Sequence, residues 1–172
     1  MTEAPVRDPL SADFNTFYRR ELPAMVALAA AITGNTIAAE DLAQEALLRA
    51  YNRWDEVGAY DKPGAWVRRV TINLALTNRK RAVTELKAKL RLRSWVRPTA
   101  HVVEPHPPRF DDVWSAVAKL PGQQRAAVAL HYLEDRSVAD IAEILDCSES
   151  TARVHLHRGR NALASLLEGA SA

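Results

Sequence analysis

One face of a predicted helix near the C-terminus carries the strongest candidates for binding chemistry. On a helical wheel of residues 149–167, apolar side chains fall on one side and polar and basic side chains on the other. Arginines on such a face can donate hydrogen bonds to guanine edges in a major groove or to phosphates. The face therefore indicates binding to duplex DNA, although an amphipathic helix with a solvated basic face has the same pattern. Its outward residues are Ser150, Arg153, Val154, His157 and Arg158.

The residues before this helix predict the turn that a helix-turn-helix needs. Residues 138–145 carry an apolar stripe at i, i+3, i+4 and i+7, which is typical of a helix packed on a core. Ser137 and Ser148 stand where the N-caps of the two helices are expected. Asp146 tolerates a left-handed turn conformation, and we expect Cys147 to pack beside it as a small apolar side chain.

A second candidate site lies on a basic helix predicted within residues 62–81. Arg69, Asn73 and Lys80 recur on one stripe, and Trp66 lies at the edge of the helix. Cations neutralise phosphates and an amide can hold an unstacked base, so the pattern is suited to single-stranded nucleic acid. A helix packed on two sides explains the apolar residues equally well.

Acidic and amide side chains gather in residues 38–54, near the start of another predicted helix. Glu40, Asp41, Gln44 and Glu45 lie in its first turns. One interpretation is favourable charge at a helix N-terminus. The alternative is an acidic docking surface for a protein partner.

The distribution of charge separates these surfaces along the chain. The 172 residues have a net charge of only +2, but residues 62–97 hold 11 cations and one acid. Residues 1–61 hold five cations and ten acids, and residues 98–172 hold seven cations and ten acids. A basic block between acidic segments suggests a polyanion site flanked by surfaces for another partner.

The composition predicts a helical protein of a reducing compartment. Alanine accounts for 30 residues and glycine for 6, and alanine is the best helix former. The single cysteine excludes an intramolecular disulfide. The sequence shows neither an apolar run of membrane-spanning length nor a signal-peptide core, so we expect no membrane insertion and a cytoplasmic location.

Four prolines between Arg97 and Pro108 predict a linker. We therefore predict an all-α fold of two small helical domains joined by a flexible linker, with limits at 10–95, 96–109 and 110–168. Pro23 is expected to kink the first helix or to begin a new one. Helices are predicted over 14–33, 36–54, 63–93, 110–119, 123–133, 138–145 and 149–167, with a loop at 55–61.

Enzymatic and metal chemistry find little support in the residues. His155 and His157 would lie about 160° apart around a helix, so one ion cannot easily take both. The sequence has no Gly-rich phosphate loop, nucleophile elbow or paired-carboxylate site. We predict no catalytic residue, no metal and no cofactor, which argues against a hydrolase.

Together the motifs resemble those of the extracytoplasmic-function (ECF, group IV) sigma factors of bacterial RNA polymerase, within the sigma-70 family. Residues 14–82 are similar to their region 2, with AEDLAQEALLRAY as the core-binding helix and WVRRVTINLALTNRKR as the promoter-melting helix. Residues 110–168 are similar to region 4, whose signature is LPGQQRAAVALHYLEDRSVADIAEILDCSESTARVHLHRGRNAL. The resemblance implies core RNA polymerase, promoter DNA and an anti-sigma factor as partners.

The resemblance also implies roles for residues at matching positions. The polymerase-binding surface would comprise Asp41, Gln44, Glu45 and Arg49. The −10 element would be held by Arg69, Asn73, Thr77 and Lys80, with Asn73 near a flipped base and residues 55–63 forming the base-capturing pocket. The −35 element would be read by Ser150, Arg153, Val154, His157 and Arg158. Val154 stands where the family often has serine and His155 where it often has arginine, so promoter preference does not transfer.

A LuxR-type regulator that binds double-stranded operators as a dimer is the alternative interpretation. The stretch STARVHLHRGRNAL also resembles the DNA-binding domain of that class. Such a protein would carry an αβ receiver or a ligand pocket in its first half, where this sequence shows no alternating strand pattern.

Overall fold

The computed structural model describes residues 9–93 and 112–170, and each regular element in these two ranges is a helix. The N-terminal half comprises α1 (Pro9–Thr33), α2 (Thr36–Tyr51), α3 (Trp54–Val57) and α4 (Pro63–Arg93). The C-terminal half comprises α5 (Asp112–Val117), α6 (Gly122–Glu134), α7 (Val138–Leu145) and α8 (Glu149–Ala170). The all-α prediction is confirmed, while the linker predicted at 96–109 lies outside the described residues.

Most helix limits follow the sequence, and the main departure lies between α2 and α4. The sequence predicts one helix to Trp54 and then a loop, whereas α2 ends at Tyr51 and α3 forms a separate turn at Trp54–Val57. That turn is stabilised by an ion pair between Arg53 and Glu56, with 2.6 Å between Nη2 and Oε2. α1 runs without a break through Pro23, which has no N–H to donate and so costs the helix one hydrogen bond.

Side-chain caps fix the starts of three helices. Asn35 caps α2, because its Oδ1 accepts a hydrogen bond from the Ala38 N–H at 3.0 Å. Ser137 caps α7 by accepting from the Asp140 N–H at 3.1 Å, and Ser148 caps α8 by accepting from the Thr151 N–H at 3.1 Å. Asp146 adopts the left-handed conformation predicted for the turn, with φ of 56°.

Small side chains let the helices of each half approach closely. α2 buries a stripe of alanines together with Leu47, and α1 contributes Met25, Leu28 and Ile32 to the same core. In the C-terminal half, Gly159 of α8 lies so close to α6 that a Cβ atom there would be 2.7 Å from Cγ2 of Val128. Such an approach admits only glycine without displacement of the neighbouring helix.

The two halves are packed against each other, with α1 and α4 contacting α5, α6 and α7. A buried ion cluster lies in this contact: Arg68 of α4 donates to Glu21 of α1 at 2.7 Å and to Glu134 of α6 at 2.5 Å. The three side chains are 7%, 9% and 8% exposed, so water barely reaches them. The prediction of two domains on a linker does not anticipate this contact.

None of the helices in the described ranges has the length and apolarity needed to cross a lipid bilayer.

Candidate protein-docking and nucleic-acid interfaces

A groove of about 590 Å³ runs between α1 and α2. Asp41, Gln44 and Glu45 line it, so the structure brings together three of the four residues predicted to bind polymerase. Arg49 is held beside them, because its Nε donates to Oε1 of Glu45 at 2.8 Å. The groove therefore has an acidic and amide rim with one tethered cation.

The floor of this groove is apolar, which sequence reasoning missed. Phe14 and Tyr18 of α1 and Leu48 and Tyr51 of α2 are among the residues that line it. Leu48 is 52% exposed and Tyr51 is 51% exposed, although both are large apolar groups. The α2 periodicity contains these two residues, but their meeting with α1 depends on tertiary packing. An apolar centre inside a polar rim is the usual anatomy of a protein interface.

The predicted nucleic-acid face of α4 is only partly open. Asn73, Thr77 and Lys80 are exposed, and their spacing of four and three residues places them on one side of the helix. Arg69, one turn earlier, is instead bound to the C-terminus of α7. Its Nε donates to the Ile144 carbonyl at 3.1 Å, and its Nη2 donates to the Glu143 carbonyl at 2.6 Å.

A cavity of about 630 Å³ lies between the α3–α4 loop and the start of α4. Tyr60, Trp66 and Arg69 line it from the N-terminal half, and Glu143 of α7 lines it from the C-terminal half. Two aromatic side chains and a cation are suited to a stacked base and its phosphate. The cavity lies at the loop, residues 55–63, for which the base-capturing pocket is predicted.

Polar contacts order the loop that forms this cavity. The Tyr60 hydroxyl donates to Oε1 of Glu56 at 2.6 Å, and Arg53 pairs with the same carboxylate. These two contacts hold the pKa of Glu56 below its ordinary value of 4.5. The Arg53 guanidinium also lies 5.6 Å from the centre of the Trp66 ring. The loop is thereby tied to α4 through charge and an aromatic face.

All residues of the predicted DNA-reading face of α8 are exposed to solvent. Ala152 and Leu156 are buried on the inner side of the helix, as the helical wheel predicts. The outward residues Ser150, Arg153, Val154, His157 and Arg158 are all exposed. The structure therefore brings all five predicted residues to one accessible surface.

The arginines of α8 differ in their partners. Arg160 donates from Nε to the Tyr132 hydroxyl at 2.8 Å and lies 5.5 Å from the centre of that ring. The side chains of Arg153 and Arg158 make neither a hydrogen bond nor an ion pair with the described residues. Their guanidinium donors are thus available to an external acceptor, while Arg160 supports α6.

Cys147 packs in the turn between α7 and α8, as predicted, and burial raises the pKa of its thiol. In the described part of the chain, no group of three or more His, Cys, Asp or Glu side chains is arranged to hold a metal ion.

Comparisons with known proteins assign each half of the chain to a protein family. Residues 17–85 match the family model described as Sigma-70 region 2, and residues 110–163 match the model described as Sigma-70, region 4. These two regions, in this order, define a sigma-70-type transcription initiation factor. The LuxR-type interpretation receives no support.

Individual relatives show which group of sigma-70-type factors the chain is similar to. The chain is 30% identical to the ECF RNA polymerase sigma factor SigW of Bacillus subtilis (strain 168) over 141 residues, covering 76% of this chain and 75% of SigW. It is 30% identical to the ECF RNA polymerase sigma factor EcfG of Rhodopseudomonas palustris (strain TIE-1), covering 92% of this chain and 87% of that protein. A solved structure of the sigma factor RpoE with the anti-sigma factor NepR from Bartonella quintana has a TM-score of 0.66, at 27% identity. The similarity covers 91% of this chain and 97% of the RpoE chain.

The chain belongs to the ECF sigma factors, and its function is to direct RNA polymerase to promoters. Sigma factors are initiation factors rather than catalysts, and none of the matched families is catalytic.

Proposed function

We propose that this sigma factor docks on core RNA polymerase through the α1–α2 groove and holds the two promoter elements with α4 and α8. The observation that carries the proposal is the separation of three chemistries onto three helices. α2 presents an acidic and apolar groove, α4 presents an exposed amide between cations, and α8 presents unpaired guanidinium donors.

Core docking is assigned to Asp41, Gln44, Glu45 and Arg49 around the exposed Leu48. The groove supplies apolar area at its centre, and the polar rim supplies orientation. A basic and apolar helical surface on the polymerase would complement it.

The −10 element is assigned to Arg69, Asn73, Thr77 and Lys80, beside the cavity lined by Tyr60 and Trp66. A base that leaves the duplex stacks on an aromatic ring and gains hydrogen bonds to a polar side chain. The binding free energy of that trapped base drives promoter melting without ATP.

The −35 element is assigned to Ser150, Arg153, Val154, His157 and Arg158. Serine and the arginines donate to base edges and phosphates, whereas Val154 offers an apolar contact to a thymine methyl group. We further propose that the domains span 10–95 and 110–168, with the linker at 96–109.

We also propose that the protein acts in the cytoplasm, works without metal or cofactor, and is controlled by an anti-sigma factor. The last point is supported by the similar sigma factor from Bartonella quintana, whose solved structure is a complex with the anti-sigma factor NepR.

Leu48→Asp places a charge at the centre of the groove, so we expect affinity for core polymerase to fall by about tenfold or more. The measurement is titration of labelled sigma factor with sigma-free core. Ile37→Asp is the matched control, because Ile37 is 77% exposed on the same helix and lies outside the groove. Similar losses for both variants would contradict the assignment of the groove.

Promoter melting is tested with Asn73→Ala in reconstituted transcription. Wild-type protein mixed with sigma-free core and a promoter library should yield run-off transcripts from a subset of templates. On a selected template, Asn73→Ala is expected to slow open-complex formation by about tenfold, because the unpaired base loses its hydrogen-bond partner on α4. Core affinity is expected to stay unchanged, because core binds the α1–α2 groove. Asn78→Ala, on another side of α4, is the control.

Absence of transcripts from any template, together with tight duplex binding without core, would rule out the proposed function. Equal loss of core affinity in Asn73→Ala would make Asn73 structural.

Recognition of the −35 element is tested with Arg158→Ala. We expect promoter affinity to fall by about 1–3 kcal/mol if Arg158 reads a base, or the salt slope to fall by about one unit if it holds a phosphate. Arg160→Ala removes the same charge from the same helix and should change affinity less, because Arg160 is bound to Tyr132. Unchanged affinity in Arg158→Ala would show that this face is only solvated.

A further inference from the structure

A basic groove of about 570 Å³ lies between the middle of α4 and the start of α6. Four of its lining residues are cations, and none of the described residues that line it is acidic. These cations are Arg79, Lys80, Lys87 and Arg125. Leu76 and Val83 add apolar surface, and the exposed Gln123 adds an amide. A concave surface of this size that combines apolar area with a few convergent polar groups is typical of a small-molecule site.

Two guanidinium groups form one wall of this groove, and neither has a carboxylate partner among the described residues. Arg125 is 5% exposed and donates to the Ile32 carbonyl of α1 at 2.9 Å. Arg79 donates to the carbonyls of Thr33 and Ala118. Burial, together with the charge of Arg79, lowers the pKa of Arg125 to about 10. Carbonyl dipoles hold the two cations in place but leave their charge uncompensated, so an anion in the groove would stabilise both.

The two lysines of α4 are exposed at the rim of the groove. The side chains of Lys80 and Lys87 make neither a hydrogen bond nor an ion pair with the described residues. They are two helical turns apart, so their Cα atoms are separated by about 10 Å along the axis. A ligand with two or three linked phosphates can contact both ammonium groups with the lysines in extended rotamers. A single phosphate ion requires both side chains to bend towards one point, which costs more conformational entropy.

The start of α6 adds to the positive potential of the groove. Its N-cap residue is Pro121, which makes no side-chain hydrogen bond, so the N–H groups of the first turn have no side-chain cap. Gly122 lies so close to α4 that a Cβ atom there would be 3.0 Å from Cδ2 of Leu76. This end of the helix therefore borders the groove closely, and the helix dipole carries partial positive charge there.

We propose that the α4–α6 groove binds a nucleoside di- or triphosphate, a ligand that the proposed roles in core and promoter binding do not require. Its phosphates lie between the two lysines and next to the guanidinium wall. Its base packs on Val83 and reaches the amide of Gln123. Duplex DNA is also a polyanion, but it is too wide to enter the groove and could reach only the exposed rim. The buried guanidinium wall is open only to a small anion, which favours a nucleotide.

The test is a calorimetric titration of the full-length, DNA-free protein with ATP at physiological ionic strength, where attraction to scattered surface charges is screened. We expect one site per chain, displacement of ATP by inorganic triphosphate, and no binding of adenosine, because the phosphates supply the charge that the groove lacks. The melting temperature should rise with ATP concentration, since the ligand binds the folded state. Absence of saturable binding would overturn the proposal, as would adenosine that binds as tightly as ATP.

Lys87→Glu is the informative variant, because Lys87 lies at the rim of the groove and has no proposed role in core or promoter binding. We expect its affinity for ATP to fall by at least about tenfold. Lys89→Glu makes the same charge change at an exposed position of the same helix outside the groove, and should lower affinity by less than about twofold.

Equal losses in the two variants would show attraction to overall charge and would overturn the proposal. Displacement of ATP by a random-sequence DNA duplex, with the same loss of duplex affinity in Lys87→Glu, would assign the groove to the DNA backbone and would overturn it as well. Because these measurements record binding without polymerase or promoter, their outcome is separate from that of the transcription experiments.

Discussion

The Arg68 guanidinium, buried between Glu21 of α1 and Glu134 of α6, is the interaction on which the arrangement of the two halves depends. One planar fork of donors serves both carboxylates, and it also donates to the Gly64 carbonyl at the start of α4. Burial raises the pKa of Glu21, but the hydrogen bond from Arg20 and the charge of Arg68 outweigh it and hold that pKa below its ordinary value. The cluster thus fixes the first turns of α4 against α1 and α6.

One side of α4 packs in the protein core, and another side carries the residues proposed to bind DNA. Val67 and Thr71 are fully buried, and the Thr71 hydroxyl donates to the Val67 carbonyl at 2.9 Å, which satisfies this polar group inside the core. Asn73 and Thr77 emerge on another side. The basic block seen in the sequence therefore has two uses, because Arg68, Arg69 and Arg79 are engaged within the protein while Lys80 is exposed.

Local sequence signals predict the structural features that depend only on residues close together in the chain. The α7–α8 unit follows from its apolar period, the Ser137 and Ser148 caps and the tolerance of Asp146 for positive φ, and each of these features is present in the structure. The exposed face of α8 follows from the same period. Features that depend on distant residues are absent from such patterns. The apolar floor of the docking groove forms only where α1 and α2 meet. The sequence places Arg69 on a nucleic-acid-binding stripe, and only the structure shows that two carbonyls of α7 accept its hydrogen bonds.

The central claim is that core docking and promoter contacts lie on separate helices of this ECF sigma factor. The most direct measurement combines Leu48→Asp on α2 with Arg158→Ala on α8 and compares the double variant with each single variant, for core affinity and for promoter affinity of the assembled holoenzyme. The account predicts that core affinity falls only where Leu48 is changed, and that promoter affinity of the holoenzyme falls only where Arg158 is changed. Loss of core affinity in the Arg158→Ala single variant would contradict it.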